Sequence, residues 1–212
     1  MWFVNFLKSS IGKKSIMAGT GLCLFLFLCS HAAGNATLFS SVSLFQAYAD
    51  QLHSHPLIVS VFSTGLFLVF AVHATTGTLL FFQNRKARPQ GYRVKTRAIK
   101  TPWASMTMIY SGLFILLFAL IHTAAVSFGD HGRIGETIAT LFSSFFYSSF
   151  YIFSFLVLAL HLSHGFWSML QTMGANHPRY TLLIHRLTYI VPAFFLILFT
   201  SIPLLFFFGT GR

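Results

Sequence analysis

Five long runs of apolar residues alternate with shorter polar segments along this chain. At a rise of ~1.5 Å per residue, a helix over each run is long enough to cross a hydrocarbon core of ~30 Å. The runs do not alternate in polarity as the strands of a membrane barrel do, so they predict helices. The pattern predicts an all-α integral membrane protein, a single domain over residues 1–212 built as a five-transmembrane-helix bundle. The predicted spans are about residues 16–36, 57–82, 103–128, 138–172 and 182–208.

The composition agrees with a membrane protein and excludes a soluble globular one. Of the 212 residues, 55% are hydrophobic and only 8% are charged. A soluble domain has about a quarter of its residues charged, and a chain this apolar cannot cover itself with a solvated surface. Cys23 and Cys29 form neither a CxxC nor a CxxCH motif. The cysteines therefore indicate neither an iron–sulfur cluster nor a covalently attached haem in this chain.

The distribution of basic residues predicts the orientation in the membrane. Twelve of the 14 Lys and Arg residues lie on one side of the predicted spans: before the first span, in the segment 85–100, and at Arg179 and Arg186. All three acidic residues lie on the other side. By the positive-inside rule, the N-terminus is cytoplasmic and the C-terminus outside. The net charge of +11 is thus a topology signal and predicts no nucleic-acid binding, although segment 85–100 is also a candidate docking surface for lipid headgroups or a soluble partner.

Five of the ten histidines lie inside the predicted spans, where an ionisable side chain is costly and usually has a partner and a task. They are His31, His73, His122, His161 and His164. For any one of them alone, a hydrogen bond to a neighbouring helix is the simpler explanation. Counted from the cytoplasmic ends of the spans, His31 and His122 lie ~25 and ~30 Å from the inner face. On the same count, His73 and His161 lie ~18 and ~20 Å from that face.

Four histidines on four helices therefore form two levels, with two imidazoles at each level. Two imidazoles can fill both axial positions of a haem iron, and such a haem transfers electrons because no position is left for oxygen. The levels predict an outer haem between His31 and His122 and an inner haem between His73 and His161. His164 competes with His161, since it lies three residues away on much the same helix face. The spacing alone does not decide which of the two histidines is the ligand. The other possibility for His164 is a contact with a haem propionate.

The sequence around these histidines resembles a known family. The matching segments are 27–35 (FLCSHAAGN), 72–77 (VHATTG), 120–122 (LIH) and 160–168 (LHLSHGFWS). Over nearly its whole length, the chain resembles the di-haem cytochrome b membrane anchor of succinate:quinone oxidoreductase, the complex that acts as succinate dehydrogenase or fumarate reductase, in its single-chain, five-helix form. In that family the four matching histidines are the haem ligands. The resemblance therefore implies two haems b, with His161 preferred over His164.

The resemblance also implies a reaction and partner subunits. A flavoprotein subunit oxidises succinate on the cytoplasmic side, a step of the tricarboxylic acid cycle, and an iron–sulfur subunit passes the electrons to this membrane subunit. The electrons then cross the inner and outer haems to a quinone, typically menaquinone, near the outer face of the cell inner membrane. FAD and iron–sulfur clusters are expected only in the partner subunits. Segment 85–100 and the region from Arg179 to Arg186 would face the iron–sulfur subunit.

A quinone site is expected in the outer segment 38–56. Quinone reduction needs a proton source and a hydrogen-bond partner for the carbonyl oxygens. Tyr48, Asp50 and His53 supply such groups. The family uses an acid in this region, which points to Asp50, with His53 as the alternative at that position. An ordinary solvated loop residue explains Asp50 at least as well.

Two other functions are compatible with the histidines. One is the cytochrome b subunit of another quinone-linked complex, of the hydrogenase or formate dehydrogenase type. The other is a transporter whose buried histidines relay protons. A transporter would need polar or broken helices along a path, whereas these spans are nearly pure apolar stretches.

Overall fold

The computed structural model describes residues 1–87, 102–127, 131–175 and 177–209, and every regular element in these ranges is helical. Five segments are long and apolar enough to cross a membrane: Ser10–Phe39, Pro56–Ala87, Met106–Val126, Phe145–Thr172 and Pro178–Phe207. This confirms the predicted helical, multi-pass architecture. The α-helices are α1 (Trp2–Lys8), α2 (Ser10–Ala36), α3 (Val42–His53), α4 (Pro56–Ala87), α5 (Pro102–Ser127), α6 (Ile134–Ser143), α7 (Phe145–Thr172) and α8 (Pro178–Phe207), with 3-10 turns at Thr37–Phe39 and His131–Arg133.

The fourth apolar run differs from the prediction because it forms two helices. Ser144 has an extended backbone, with φ −79° and ψ 127°, between the end of α6 and the start of α7. The hydroxyl of Ser148 in the first turn of α7 donates a hydrogen bond of 2.6 Å to the carbonyl of Phe142. This bond satisfies a carbonyl that the end of α6 leaves without a helical partner. The membrane-crossing helix therefore begins at Phe145 rather than near residue 138.

Helix α7 is the centre of the bundle, because it packs against α8, α5 and α2. Large aromatic side chains fill the core beside it. Since lipid tails are as apolar as these side chains, close packing rather than the hydrophobic effect holds the helices together inside a membrane. The buried aromatic residues of the main core are Phe45, Phe142, Tyr151, Phe195, Phe199 and Phe206.

Helix α4 lies at the edge of the bundle. It contacts α2, α5 and α3, and each of its residues is exposed or half-buried. Its exposed side chains include Leu57, Phe62 and Phe67. Such a face is suited to lipid tails, as expected for a membrane-spanning helix.

The two ends of the bundle differ in character. At one end, Lys13 of α2 donates a hydrogen bond of 2.8 Å to the Gln83 side chain of α4, so the basic N-terminal segment and the start of segment 85–100 lie together. Residues 88–100 of that basic segment lie outside the described residues. At the other end, the side-chain oxygen of Gln46 on α3 accepts a bond of 3.0 Å from the backbone N–H of Gly135 on α6. The short helices α3 and α6 are thereby joined next to the outer histidine level.

Candidate functional site

His31 on α2 and His122 on α5 face each other inside the bundle. Their ring centroids lie 5.8 Å apart and the two ring planes are perpendicular, at 89°. Each imidazole is stacked on a phenylalanine one helical turn earlier: Phe27 lies 5.4 Å from His31 and Phe118 lies 5.7 Å from His122, centroid to centroid. Phe199 of α8 also contacts His31 at 6.1 Å. The predicted outer pair thus lies among aromatic side chains that keep water away from it.

A tyrosine on the central helix fixes the orientation of the His122 ring. The Tyr151 hydroxyl lies 3.0 Å from Nδ1 of His122 and 2.8 Å from the Tyr147 hydroxyl. The two tyrosine rings are stacked, with centroids 4.6 Å apart, and Tyr151 is buried. Because Nδ1 is engaged by this hydroxyl, Nε2 is the ring nitrogen of His122 that is left for another partner.

The inner histidines are held in a similar way, but by aliphatic hydroxyls. Nδ1 of His73 on α4 lies 3.0 Å from the hydroxyl of Thr20 on α2. Nδ1 of His161 on α7 lies 3.0 Å from the hydroxyl of Ser111 on α5. His73 and His161 are also close enough to interact electrostatically. Each inner imidazole is therefore anchored to a neighbouring helix while it lies near the other.

This arrangement fits the ligands of a haem iron. Two imidazoles on opposite sides of one metal, with metal–nitrogen bonds of ~2 Å, have ring centres roughly 6 Å apart. The 5.8 Å between His31 and His122 matches that separation. A ligating histidine normally donates its other ring N–H to a nearby group, and three of the four candidate ligands have a hydroxyl at Nδ1.

An ordinary metal ion is a poorer fit. Within the described residues, no cluster of three or more His, Cys, Asp or Glu side chains could hold a metal ion. A bare pair of imidazoles leaves a free ion short of ligands, since such ions take four or more. A haem would bring the remaining ligands of its iron with it, so a pair of imidazoles from this chain would be sufficient to hold it.

His164 differs from His161 in its surroundings. Its Nδ1 is buried and has no hydrogen-bond partner among the described residues. His164 also lies near enough to His161 for an electrostatic interaction. Because metal-ligating histidines usually have a partner at the second nitrogen, the Ser111 bond favours His161 as the ligand.

The three expected quinone-site residues all lie on α3, but the structure does not bring them to one point. The Tyr48 ring packs against Gly34 of α2, where an added Cβ would lie 2.8 Å from the Tyr48 hydroxyl oxygen. Asp50 is exposed and its carboxylate accepts a bond of 2.7 Å from the Gln46 amide. His53 Nδ1 donates to the Ala49 carbonyl at 2.8 Å. At ~100° per residue, Tyr48 and Asp50 lie on nearly opposite sides of the helix.

Sequence reasoning did not find the hydroxyl partners Thr20, Ser111 and Tyr151. Each is separated by many residues from the histidine that it binds, and serine or threonine on a membrane helix often bonds only to its own backbone. A hydroxyl at the depth of a predicted histidine level is the signal that could have suggested them. It is a weak signal, since only the helix rotations decide which hydroxyls face an imidazole.

Comparison of the chain with protein-family models, curated proteins and solved structures gave no match. The fold and the site nevertheless define a class. The protein is a multi-pass helical membrane protein in which histidines from separate helices approach each other inside the bundle.

Proposed function

We propose that this chain is the membrane-anchor cytochrome b subunit of a succinate:quinone oxidoreductase, a succinate dehydrogenase or fumarate reductase. It would bind two haems b, the outer one through His31 and His122 and the inner one through His73 and His161. The observation that carries this proposal is the separation of 5.8 Å between the His31 and His122 rings, which come from different helices. Isolated buried histidines that merely bond to a neighbouring helix have no reason to meet in this way.

A haem held by two imidazoles supplies one-electron transfer and has no free position for another ligand. The residues of this chain bind and orient it. Hydroxyls at Nδ1 hold three of the imidazoles, and Phe27, Phe118 and Phe199 pack around the outer pair. Two such levels at different depths would form a path for electrons across a barrier that otherwise blocks them.

The basic end of the bundle supports the proposed orientation and partners. Lys13 and Gln83 bring the basic start of α2 beside the end of α4, where segment 85–100 begins. Under the positive-inside rule this end is cytoplasmic. The iron–sulfur subunit would dock there, with the flavoprotein subunit behind it and the C-terminus of this chain on the outside. The membrane would be the inner membrane of the cell.

The quinone, proposed to be menaquinone, would bind near the outer pair. The supporting contact is that of Tyr48 with Gly34, since Gly34 follows His31 by less than one helical turn. The Tyr48 hydroxyl thus lies beside the helical turn of α2 that follows His31. Asp50 and His53 lie on another side of α3 and would act as proton donors at the surface.

An optical difference spectrum tests the proposal. Purified protein reduced with dithionite should show the bands of low-spin b-type haem, and a pyridine haemochrome assay should give about two haems per chain. A flavoprotein and an iron–sulfur protein should co-purify with this chain from its natural source. The purified complex should have succinate dehydrogenase activity. Colourless protein that takes up no haem would contradict the proposal and favour a proton-relaying transporter. Co-purified hydrogenase or formate dehydrogenase subunits would contradict the succinate assignment while retaining the cytochrome.

A further inference from the structure

The two inner imidazoles are bound by the same two-residue pattern on their neighbouring helices. Thr20 binds Nδ1 of His73 and is followed by Gly21, where an added Cβ would lie 3.5 Å from Cε1 of His73. Ser111 binds Nδ1 of His161 and is followed by Gly112, where an added Cβ would lie 3.3 Å from Cε1 of His161. In both places, a hydroxyl lies beside the ring nitrogen and a glycine faces the adjacent ring carbon. Only at Gly112 would an added Cβ be closer to the ring than an ordinary van der Waals contact.

A backbone carbonyl lies beside each of the two hydroxyls. The Thr20 hydroxyl lies 2.7 Å from the Ile16 carbonyl, and the Ser111 hydroxyl lies 3.1 Å from the Met108 carbonyl. A hydroxyl that donates its one proton to such a carbonyl can only accept a proton from the imidazole. In that arrangement the proton of each neutral inner ring is on Nδ1, and the lone pair is on Nε2. A metal binds an imidazole through such a lone pair.

We propose that the residue pairs Thr20-Gly21 and Ser111-Gly112 position His73 and His161 for binding of the inner haem. Each pair would fix the plane of the imidazole ring and decide which ring nitrogen carries the proton. The inference rests on the proposed function and adds to it the residues that hold the ligands. Thr20 and Ser111 are positioning residues, because their hydroxyls contact the imidazoles and would act on a haem only through them. An accepted Nδ1–H bond also raises the basicity of the ligand, which stabilises ferric iron and lowers the reduction potential.

The test removes each hydroxyl with the smallest available change in the side chain. Thr20→Val and Ser111→Ala should each weaken retention of the inner haem by roughly 10- to 100-fold, the range found for the loss of such partners. Each should also raise the midpoint potential of the inner haem and leave the outer haem unchanged. The inner haem is identified as the one that disappears in His73→Ala. Redox titration and the haem-to-protein ratio of detergent-purified protein provide the readouts.

Matched variants separate this role from a general effect on folding. The hydroxyls of Thr78 on α4 and Ser154 on α7 donate to carbonyls of their own helices, at 2.8 and 2.7 Å. Thr78→Val and Ser154→Ala should therefore leave the inner potential unchanged. Thr20→Ser and Ser111→Thr keep the hydroxyl and should restore haem retention.

Gly112→Ala keeps the hydroxyl but crowds the His161 ring, so it should change the electron paramagnetic resonance signal of the inner haem. Gly21→Ala, which adds only an ordinary contact, should not.

The outcomes distinguish this inference from the proposed function. If the wild type holds two haems, and Thr20→Val and Ser111→Ala change neither the midpoint potential nor the retention of the inner haem, the positioning role of the two hydroxyls is disproved and the proposed function is not. An unchanged signal in Gly112→Ala would overturn the part assigned to glycine. Wild-type protein that binds no haem would overturn both proposals.

Discussion

The imidazoles of His31 and His122 lie perpendicular to each other, 5.8 Å apart, although 91 residues separate them in sequence. Perpendicular rings would still allow both imidazoles to hold one haem iron, because each ring needs only to direct one nitrogen towards it. Phe27 and Phe118 stack on the two rings from one turn earlier in the same helices. This stacking limits the rotation of both imidazoles and leaves a defined pair at the outer level.

We expect His31→Ala or His122→Ala to remove the outer haem and leave the inner one. The haem content should fall from about two to about one per chain, because a haem with one axial imidazole is retained poorly. The pyridine haemochrome assay on purified protein measures this ratio. His55→Ala, at an exposed position before α4, is the control and should keep two haems. Retention of two haems by both outer variants would show that these histidines are not the ligands.

We expect His164→Ala to retain both haems. Its Nδ1 has no hydrogen-bond partner among the described residues, whereas His161 is anchored by Ser111. His161→Ala, by contrast, should lose the inner haem. A haem count on the two variants side by side decides between them. If His164→Ala loses one haem and His161→Ala keeps two, the ligand assignment on α7 is reversed.

We expect Tyr151→Phe to raise the midpoint potential of the outer haem, because it removes the hydroxyl that is hydrogen-bonded to Nδ1 of His122, the kind of partner that tunes a ligating histidine. The potential of the inner haem should not change. Tyr147→Phe is the matched control: it removes only the hydroxyl that bonds to Tyr151 and keeps the bond to His122. A spectroscopic redox titration measures both potentials. Equal shifts in the two variants would argue against a specific role of the Tyr151–His122 bond.

We expect Tyr48→Phe to raise the KM for a menaquinone analogue more than Asp50→Asn does. Tyr48 lies against Gly34, next to the outer pair, whereas the Asp50 carboxylate is bonded to Gln46 on an exposed face of α3. Loss of one hydrogen bond to a quinone oxygen should cost about 1 kcal/mol, or a several-fold change in KM. Steady-state assays with the intact complex measure this, with dye reduction as the control for succinate oxidation. The opposite order of effects would place the quinone beside Asp50.

We expect Gly12→Ala to lower the free energy of unfolding by about 1–3 kcal/mol, the usual cost of overpacking, and to lower the melting temperature accordingly. A Cβ at residue 12 would meet the backbone of α1, with Leu7 Cα at 2.9 Å, besides a closer clash with the Phe6 carbonyl oxygen. The backbone of α1 cannot yield as a side chain can. Thermal unfolding in detergent measures the change. Gly19→Ala is the control: none of the described atoms lies within 4 Å of its added Cβ, so it should be neutral or stabilising by up to ~1 kcal/mol. Equal melting temperatures for the two variants would contradict close packing of α1 on α2.

The amino-acid sequence correctly predicted those features of the fold that depend only on neighbouring residues in the chain. Runs of apolar residues long enough to cross a membrane predict helices, since only a helix satisfies its own backbone there. The five candidate spans follow from this rule. The break at Ser144 did not follow, because the residues on both sides of it are apolar and the bond from Ser148 to Phe142 forms only when the two helices pack.

By itself, the sequence of this protein determined the number of candidate membrane helices, because the length of an apolar run and the rise per residue decide whether a helix can cross a membrane. The depth of each histidine in the membrane stays a prediction from the same rise per residue. The tertiary structure decided which helix faces meet. The pairing of Thr20 with His73, of Ser111 with His161 and of Tyr151 with His122 depends on how each helix is rotated about its axis. That rotation is set by side-chain packing between helices. It is hard to predict from a run of uniformly apolar residues, because such a run has no distinct polar and apolar faces.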